Sequence, residues 1–423
     1  MDGFKTLYID MNSFFASVEQ HLDPNLRNRP VAISAIDPKS GSCVAASYEA
    51  KAYGVKTGTP VRDAIRMCPG IVILPSRHRL YVRYNLRIGA ILDRMAVLER
   101  IRSVDEFQLR LTGESTRLEG AFGLVTRMKA AVASEIGPAI RFSAGIGPNH
   151  LLAKIAGKLQ KPDGFAWLNR TNMPDRVSHL KLDDLPGISS GILVRLHRAG
   201  IHDIPSLWAL DPRHARMIWH SVEGERFVRG FQGEDIPLTI PGERSGYGNG
   251  KVLSPENRTP AAALLVVRWL IEKAGARLRR DGRVASRIGL TVTIPGPRYS
   301  DPTTSWGRGL KCQASQDTAY FHDLTGRLWT RMFEQCRPRS LLSVAIQLSE
   351  VSLLTERTGD LFGPDMQRQV AAVQSHAAAV QASGERSRGE KVSAVADMIN
   401  RRFGPDTIRL GESRPHPGFF ERG

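Results

Sequence analysis

The stretch Thr6-Leu7-Tyr8-Ile9-Asp10-Met11-Asn12-Ser13-Phe14-Phe15-Ala16-Ser17-Val18-Glu19 decides how this chain is read. Leu7, Tyr8 and Ile9 form an apolar, β-prone run, which predicts a buried strand. Asp10 stands at its C-terminal end. Asn12 or Ser13 is placed to cap a helix that opens with Phe14 and Phe15. A carboxylate at a strand end, beside a helix N-terminus, suits a metal ion and a phosphate group. Taken alone, the plainer reading, an aspartate serving a strand-to-helix turn, is the commoner one.

A second run, Ile101-Arg102-Ser103-Val104-Asp105-Glu106-Phe107-Gln108-Leu109-Arg110-Leu111, alternates apolar and polar from Phe107 onward. That predicts a half-buried strand with Asp105 and Glu106 at its start. Adjacent carboxylates at a strand edge repel each other unless a cation or basic partner offsets them. A solvated hairpin corner is the alternative. Three carboxylates from two strands are enough to hold two Mg²⁺, the arrangement that drives in-line phosphoryl transfer.

Together these runs resemble the Y-family (UmuC/DinB-type) translesion DNA polymerases. Asp10-Met11-Asn12-x-Phe14-Phe15-Ala16-Ser17-Val18-Glu19 is similar to that family's first palm motif, and Ser103-Val104-Asp105-Glu106 to its second. The likeness continues through Ala46 to Pro60, Gly145-Ile146-Gly147-Pro148-Asn149-His150-Leu151-Leu152-Ala153-Lys154-Ile155-Ala156, and Gln160-Lys161-Pro162-Asp163-Gly164. It is close over roughly residues 1 to 240 and weaker beyond.

The resemblance implies an α+β multidomain fold, a right-hand polymerase. Residues 1–25 and 81–170 would form the catalytic palm, a mixed sheet with helices on one face. Residues 26–80 would be the fingers and 171–238 a helical thumb with a helix-hairpin-helix. A Gly- and Pro-rich linker is expected over 239–249, a little finger over 250–352, and a tail with helical segments over 353–423.

It also implies roles. Two Mg²⁺ would be held by Asp10, Asp105 and Glu106, completed by the backbone carbonyl of Met11. The reaction would be attack of a primer 3′-oxygen on the α-phosphorus of a dNTP. Phe15 takes the steric-gate position, whose ring leaves no room for a 2′-hydroxyl, and Phe14 packs against the base or the core. Tyr48, Lys51 and Lys161 match positions that touch the triphosphate. Lys51 is a point charge where many members carry Arg. Lys154 and Lys158 read as a solvated helix face or a contact to the DNA backbone. Asn12 replaces an acid found in many DinB-type members and leaves the metal carboxylates intact. In the thumb, Leu185-Pro186-Gly187-Ile188-Ser189 is similar to the hairpin whose glycine admits a DNA phosphate, with Ser189 where members often have a second glycine.

Composition agrees with a nucleic-acid partner. The 423 residues are 41% hydrophobic and 24% charged, with a formal net charge of +17. Primer-template DNA is the first candidate partner and an anionic membrane surface the second. Residues 241–350 hold about 17 Lys/Arg and 9 Asp/Glu, so about half of the excess lies in about a quarter of the chain. Arg277, Arg279, Arg280 and Arg283 are candidate DNA contacts there, or a merely solvated helix end. No run approaches the roughly 18 apolar residues of a spanning helix, and no apolar signal core opens the chain. A soluble, cytoplasmic monomer is expected. Cys43, Cys68, Cys312 and Cys336 show no metal or disulfide spacing.

Near the end, Gly359-Asp360-Leu361-Phe362-Gly363 is faintly similar to the sliding-clamp-binding peptide of bacterial polymerases, without its leading Gln. Two helical segments, about 365–382 and 391–403, are expected on either side of a Ser/Gly/Arg-rich hinge. An active lesion-bypass polymerase competes with two alternatives: a catalytically silent relative that binds DNA and recruits partners, and a basic binding protein whose carboxylates are structural.

Overall fold

The computed structural model describes residues 3–35, 41–236, 245–296, 302–356 and 376–415, with backbone alone for 376–387. Asp360, Leu361 and Phe362 lie outside the described residues, as does the expected linker up to residue 244. The chain divides into two compact units, residues 1–238 and 239–419.

The first unit opens with β1 (Thr6–Met11), α1 (Phe14–Leu22), β2 (Val31–Ser34), β3 (Cys43–Ala46), α2 (Tyr48–Ala52), α3 (Val61–Met67) and β4 (Val72–Pro75). It continues with α4 (His78–Asp93), β5 (Val97–Ile101), β6 (Glu106–Arg110), α5 (Leu118–Glu135), β7 (Phe142–Gly147), α6 (His150–Leu159) and β8 (Phe165–Trp167). Five strands form one sheet in the order β5-β6-β1-β7-β8, with β1 antiparallel to both neighbours and β8 parallel to β7. Leu7, Ile9, Phe107 and Leu109 share one core with residues of α4 and α5, including Ile88, Leu92, Val125 and Met128. β2, β3 and β4 make a separate small sheet, with β2 at its centre.

Three expectations need correction. Helices cover both faces of the large sheet, because α6 packs on β1 and β7 from the side opposite α4 and α5. Gly145 makes this possible: a Cβ there would stand 2.1 Å from the Gly157 nitrogen and 2.2 Å from the Ala153 oxygen. Second, β6 does not alternate in burial. Phe107, Gln108 and Leu109 are all buried because β6 is an interior strand, and the Gln108 amide donates to Glu99 Oε2 at 3.0 Å. Third, Leu86, Ile88, Ile91, Leu92, Met95 and Leu98 have the spacing of one continuous helix, but the helix ends sooner. α4 stops at Asp93, whose carboxylate accepts from the Leu98 N–H, and Leu98 enters the core from β5 instead.

Four further helices complete the unit: α7 (Ser190–Arg198), α8 (Ile204–Trp208), α9 (Pro212–Trp219) and α10 (Val222–Phe231). They bury one apolar cluster that also takes in Leu151, Leu152 and Ile155 of α6.

The second unit contains β9 (Gly246–Val252), α11 (Pro260–Arg280), β10 (Arg283–Ile294), β11 (Thr304–Ser315), α12 (Thr318–Cys336), β12 (Ser343–Leu353) and α13 (His376–Phe403). Its antiparallel sheet runs β11-β10-β12-β9 and carries α11 and α12 on one face. Residues 246–249, expected in a linker, are strand. Glycines at 246, 248 and 250 occupy one face of β9, while Tyr247 packs inward with the helices, so the period of two is present but hidden by residues without side chains. The hinge expected after 382 is helical, and α13 passes through it. Below that point Asp397 holds the helix to α11 through a bidentate pair with buried Arg279, at 2.6 and 3.0 Å.

Candidate active site

Strand pairing assembles the carboxylates. Asp10 is the register partner of Glu106 across β1 and β6, and the Met11 N–H donates to the Asp105 carbonyl at 2.9 Å. Two strand ends that are far apart in sequence are therefore fixed by the same ladder. With a period of two, Tyr8 and Asp10 share the face that α6 covers.

Each carboxylate already has a partner. The Lys161 ammonium sits 2.5 Å from Asp10 Oδ1. The Lys154 ammonium sits 2.7 Å from Glu106 Oε1 and donates to the Tyr8 hydroxyl at 3.0 Å. The Ser103 hydroxyl donates to Asp105 Oδ1 at 2.5 Å and lies 3.3 Å from Glu106 Oε2. Burial raises the Asp10 carboxyl above its usual range; Lys161 opposes this, and Asp105 and Glu106 add to it. At Glu106 burial pushes up, but Lys154, Tyr8 and Ser103 outweigh it and leave the carboxyl below its usual range. Tyr8 is pushed up by burial first and by Glu106 second.

The next layer is polar and fixed. The expected side-chain cap from Asn12 or Ser13 is absent. Ser13 is left-handed, with φ of 48°, and its hydroxyl accepts from the Lys51 ammonium at 2.8 Å. The buried Asn12 amide donates to Ser143 Oγ at 3.0 Å, and its oxygen accepts from the Asp163 N–H at 2.8 Å. That second bond holds the loop carrying Lys161. The Lys51 ammonium also lies 4.3 Å from the Tyr48 ring centroid. Burial, then the charge of Lys161, lowers the Lys51 pKa, with Asp10 pulling the other way. Lys51, Tyr48 and Lys161 thus converge beside Asp10.

The two phenylalanines part company. Phe14 is 3% exposed and belongs to the core with Leu7 and Val18, so of the two partners expected for its ring, base or core, it takes the core and not the nucleotide. Phe15 is half-buried. It stacks on Tyr81 with centroids 4.1 Å apart and planes 15° apart, and meets His78 edge-on. Tyr81 is itself held by a hydroxyl bond to Glu19 at 2.8 Å, and Glu19 also takes Arg77.

Lys154, Tyr8 and Ser103 were missed as site residues. Tyr8 was readable, since a strand residue two before Asp10 shares its face. Lys154, expected on a solvated face, is instead 25% exposed and bound to Glu106.

The donor set suits a hard divalent cation: carboxylate and carbonyl oxygens, with no sulfur or imidazole. Among the described residues no three Asp, Glu, His or Cys side chains stand converged as a ready metal cage. The ligand types fit, and two of the carboxylates, Asp10 and Glu106, are paired with lysines.

The expected DNA contacts fare unevenly. Gly187 has φ of +104°, as a tight hairpin needs. The Ser189 hydroxyl is used on its own helix, accepting from the Ile192 N–H at the start of α7. Arg279 is corrected: its side chain is 7% exposed and bound to Asp397, to the Gln316 carbonyl and to Thr318. Arg277 is corrected as well, donating to the Gly248 carbonyl at 3.0 Å and to Asn249 Oδ1 at 2.9 Å, so it ties α11 to β9. Arg280 is partly exposed, 3.5 Å from Asp281.

The open face of the second sheet is a better candidate. Ile288, Leu290 and Val292 of β10 are buried under the helices, so Arg287, Gly289, Thr291 and Thr293 face the other way. In register beside them run Lys311 and Ser305 on β11, and Ser349, Gln347 and Ser343 on β12. Small and hydroxylated residues, flanked by Arg287 and Lys311, let a sugar-phosphate backbone approach closely.

Comparison with known proteins agrees with this geometry. The impB/mucB/samB family model matches residues 9–158, and the model of its C-terminal domain matches 244–361. A protein of Pelotomaculum thermopropionicum named DNA polymerase IV is 38% identical, over 99% of this chain and 97% of its own length. One of Moorella thermoacetica with the same name is 33% identical, over 84% of this chain and 88% of its own. Among solved structures, a Y-family DNA polymerase chimera covers 82% of this chain and 99% of its own, with a TM-score of 0.67 and 22% identity.

Proposed function

Because this chain belongs to the impB/mucB/samB family of Y-family, DinB/UmuC-type DNA polymerases, we propose that its lesion-bypass DNA synthesis is carried out by Asp10, Asp105 and Glu106, with two Mg²⁺. The protein is a DNA-directed DNA polymerase that acts on primer-template DNA and dNTPs.

The observation that carries the residue assignment is the antiparallel pairing that sets Asp10 against Glu106, with Lys51, Tyr48 and Lys161 beside them. Asp10, Asp105, Glu106 and the Met11 carbonyl would hold the ions. When bound, the ions supply the charge that activates the primer 3′-hydroxyl and neutralises the departing pyrophosphate. Tyr48, Lys51 and Lys161 orient the triphosphate in line with that hydroxyl. The stacked Phe15 ring bars a 2′-hydroxyl. Residues 1–25 and 81–170 serve as palm, 26–80 as fingers, 171–238 as thumb and 246–352 as little finger. The open face from Arg287 to Thr293 tracks the DNA backbone. The chain acts as a monomer and reaches the sliding clamp through Asp360-Leu361-Phe362.

Primer extension by the purified chain, with Mg²⁺ and single dNTPs, tests this. Asp105→Ala should lose about 10²- to 10³-fold in rate while keeping its affinity for primer-template DNA. Synthesis that persists in this variant refutes the assignment. No synthesis in the parent, with DNA binding intact, points to a silent relative or a chain that needs a partner subunit.

A further inference from the structure

The two lysines on the carboxylates are held differently. Lys154 lies within α6, and its ammonium is fixed by Glu106, the Tyr8 hydroxyl and the Tyr8 ring, whose centroid is 5.1 Å away. Lys161 stands beyond the end of α6, in the loop before Asp163, and its polar contact among the described residues is Asp10. Its side chain is 29% exposed. It also faces Lys51, a like charge whose repulsion Asp10 only partly offsets. An ammonium 2.5 Å from a carboxylate oxygen excludes a dication from that oxygen's near side, and the two cations repel at such range.

We propose that Lys161 is a place-holding counter-cation. It occupies Asp10 until a nucleotide arrives, then passes to the triphosphate beside Lys51, and so uncovers Asp10 for the nucleotide-side ion. Lys154 stays on Glu106 throughout. This rests on the assignment of Asp10, Asp105 and Glu106 as metal ligands, and on the family's place for Lys161 at the triphosphate, but adds a coupling between them. Metal affinity without nucleotide is held down, and nucleotide and ion bind with positive linkage. The linkage is reciprocal: whatever factor Lys161 costs the ion, the ion costs the Lys161–Asp10 pair. The triphosphate relieves the Lys51–Lys161 repulsion in the same step. A dNTP then brings both its own metal-binding oxygens and the removal of a competitor.

Mn²⁺ is the probe, titrated into the full chain without DNA or nucleotide, with the unbound ion read by electron paramagnetic resonance. Lys161→Met should bind its first Mn²⁺ about fivefold more tightly than the parent, the lower end of ordinary coupling. Lys161→Arg keeps the charge and should remain at the parent's affinity, which also guards against a folding artefact. A Lys161→Met affinity equal to or weaker than the parent's overturns the proposal, since a lysine that only contacts nucleotide, or only orders Asp10, produces that result. A double Asp105→Ala, Glu106→Ala variant separates the two readings. Loss of Mn²⁺ binding there, with no gain in Lys161→Met, sinks the place-holder and leaves the ligand assignment standing. Binding that persists there sinks both.

Discussion

At the scale of single residues, what matters is which side chains are free to do chemistry and which are already committed. Phe15 illustrates the second condition put to use. Its stack on Tyr81, with Tyr81 tied through Glu19 to Arg77, braces one face of the ring. Rigidity is what a steric filter needs, because a ring that yields by an ångström admits the extra hydroxyl. Phe15→Ala should therefore raise ribonucleotide incorporation relative to deoxyribonucleotide by about tenfold or more, read as the ratio of kcat/KM values for one matched pair. An unchanged ratio would remove Phe15 from the gate. The three acids were legible because a carboxylate at a strand start or end is a local pattern. The partners that set their charge were not. Lys154 is nearly fifty residues from Glu106 in sequence, and no local pattern says that α6 will turn its lysine onto β6. The same blindness misassigned Arg277 and Arg279: a run of arginines at a helix end looks identical whether it meets DNA or Asp397.

At the scale of elements, the contact of α6 with the large sheet positions the site. α6 carries Lys154 and leads into Lys161, so its distance from β1 and β6 sets both ion pairs. Gly145 fixes that distance, since its missing side chain lets the backbone of α6 at Ala153 and Gly157 lie directly against β7. Added atoms in a packed contact force backbone shifts, at typically about 1–3 kcal/mol. Gly145→Ala should lower stability by that order, seen in denaturant melts. It should also cut primer extension by more than the folded fraction lost, because Lys154 and Lys161 move with the helix. Activity that simply tracked folded protein would show that the lysines do not depend on this approach. Element types were legible where an apolar run stood beside turn chemistry, as in β1 and α1. They failed where a strand had few side chains, as in β9 with its three glycines, and where a helix crossed a Ser/Gly/Arg stretch held by tertiary contacts, as in α13.

At the scale of the whole molecule, a formal charge of +17 says that the partner is a polyanion, and says nothing about where it binds. The buried or spent arginines of α11 contribute to that total without facing solvent, so net charge overstates the binding surface. The open face of the second sheet supplies the missing location. Gly289, Thr291 and Thr293 alternate with buried Ile288, Leu290 and Val292, and the two cations Arg287 and Lys311 are register partners on adjacent strands. Arg287 also has Glu350 at 3.5 Å, with both side chains nearly half exposed, so this pair is weak and yields to a phosphate. Each cation that neutralises a phosphate steepens the fall of DNA affinity with salt by about 0.9 in the log–log slope. Arg287→Ala with Lys311→Ala should therefore lower the slope by about 2 and weaken binding alike on different sequences, read by fluorescence anisotropy across a salt series. Arg279→Ala provides the contrast. It strips a buried partner from Asp397, so its cost, about 3–5 kcal/mol for a broken buried pair, belongs to folding, while the salt slope of the molecules that remain folded stays as it was. If Arg279→Ala flattened the slope and the sheet-face pair did not, the DNA would have to lie along α11 after all. The sheet would then need another reason for a face rich in glycine, serine and threonine.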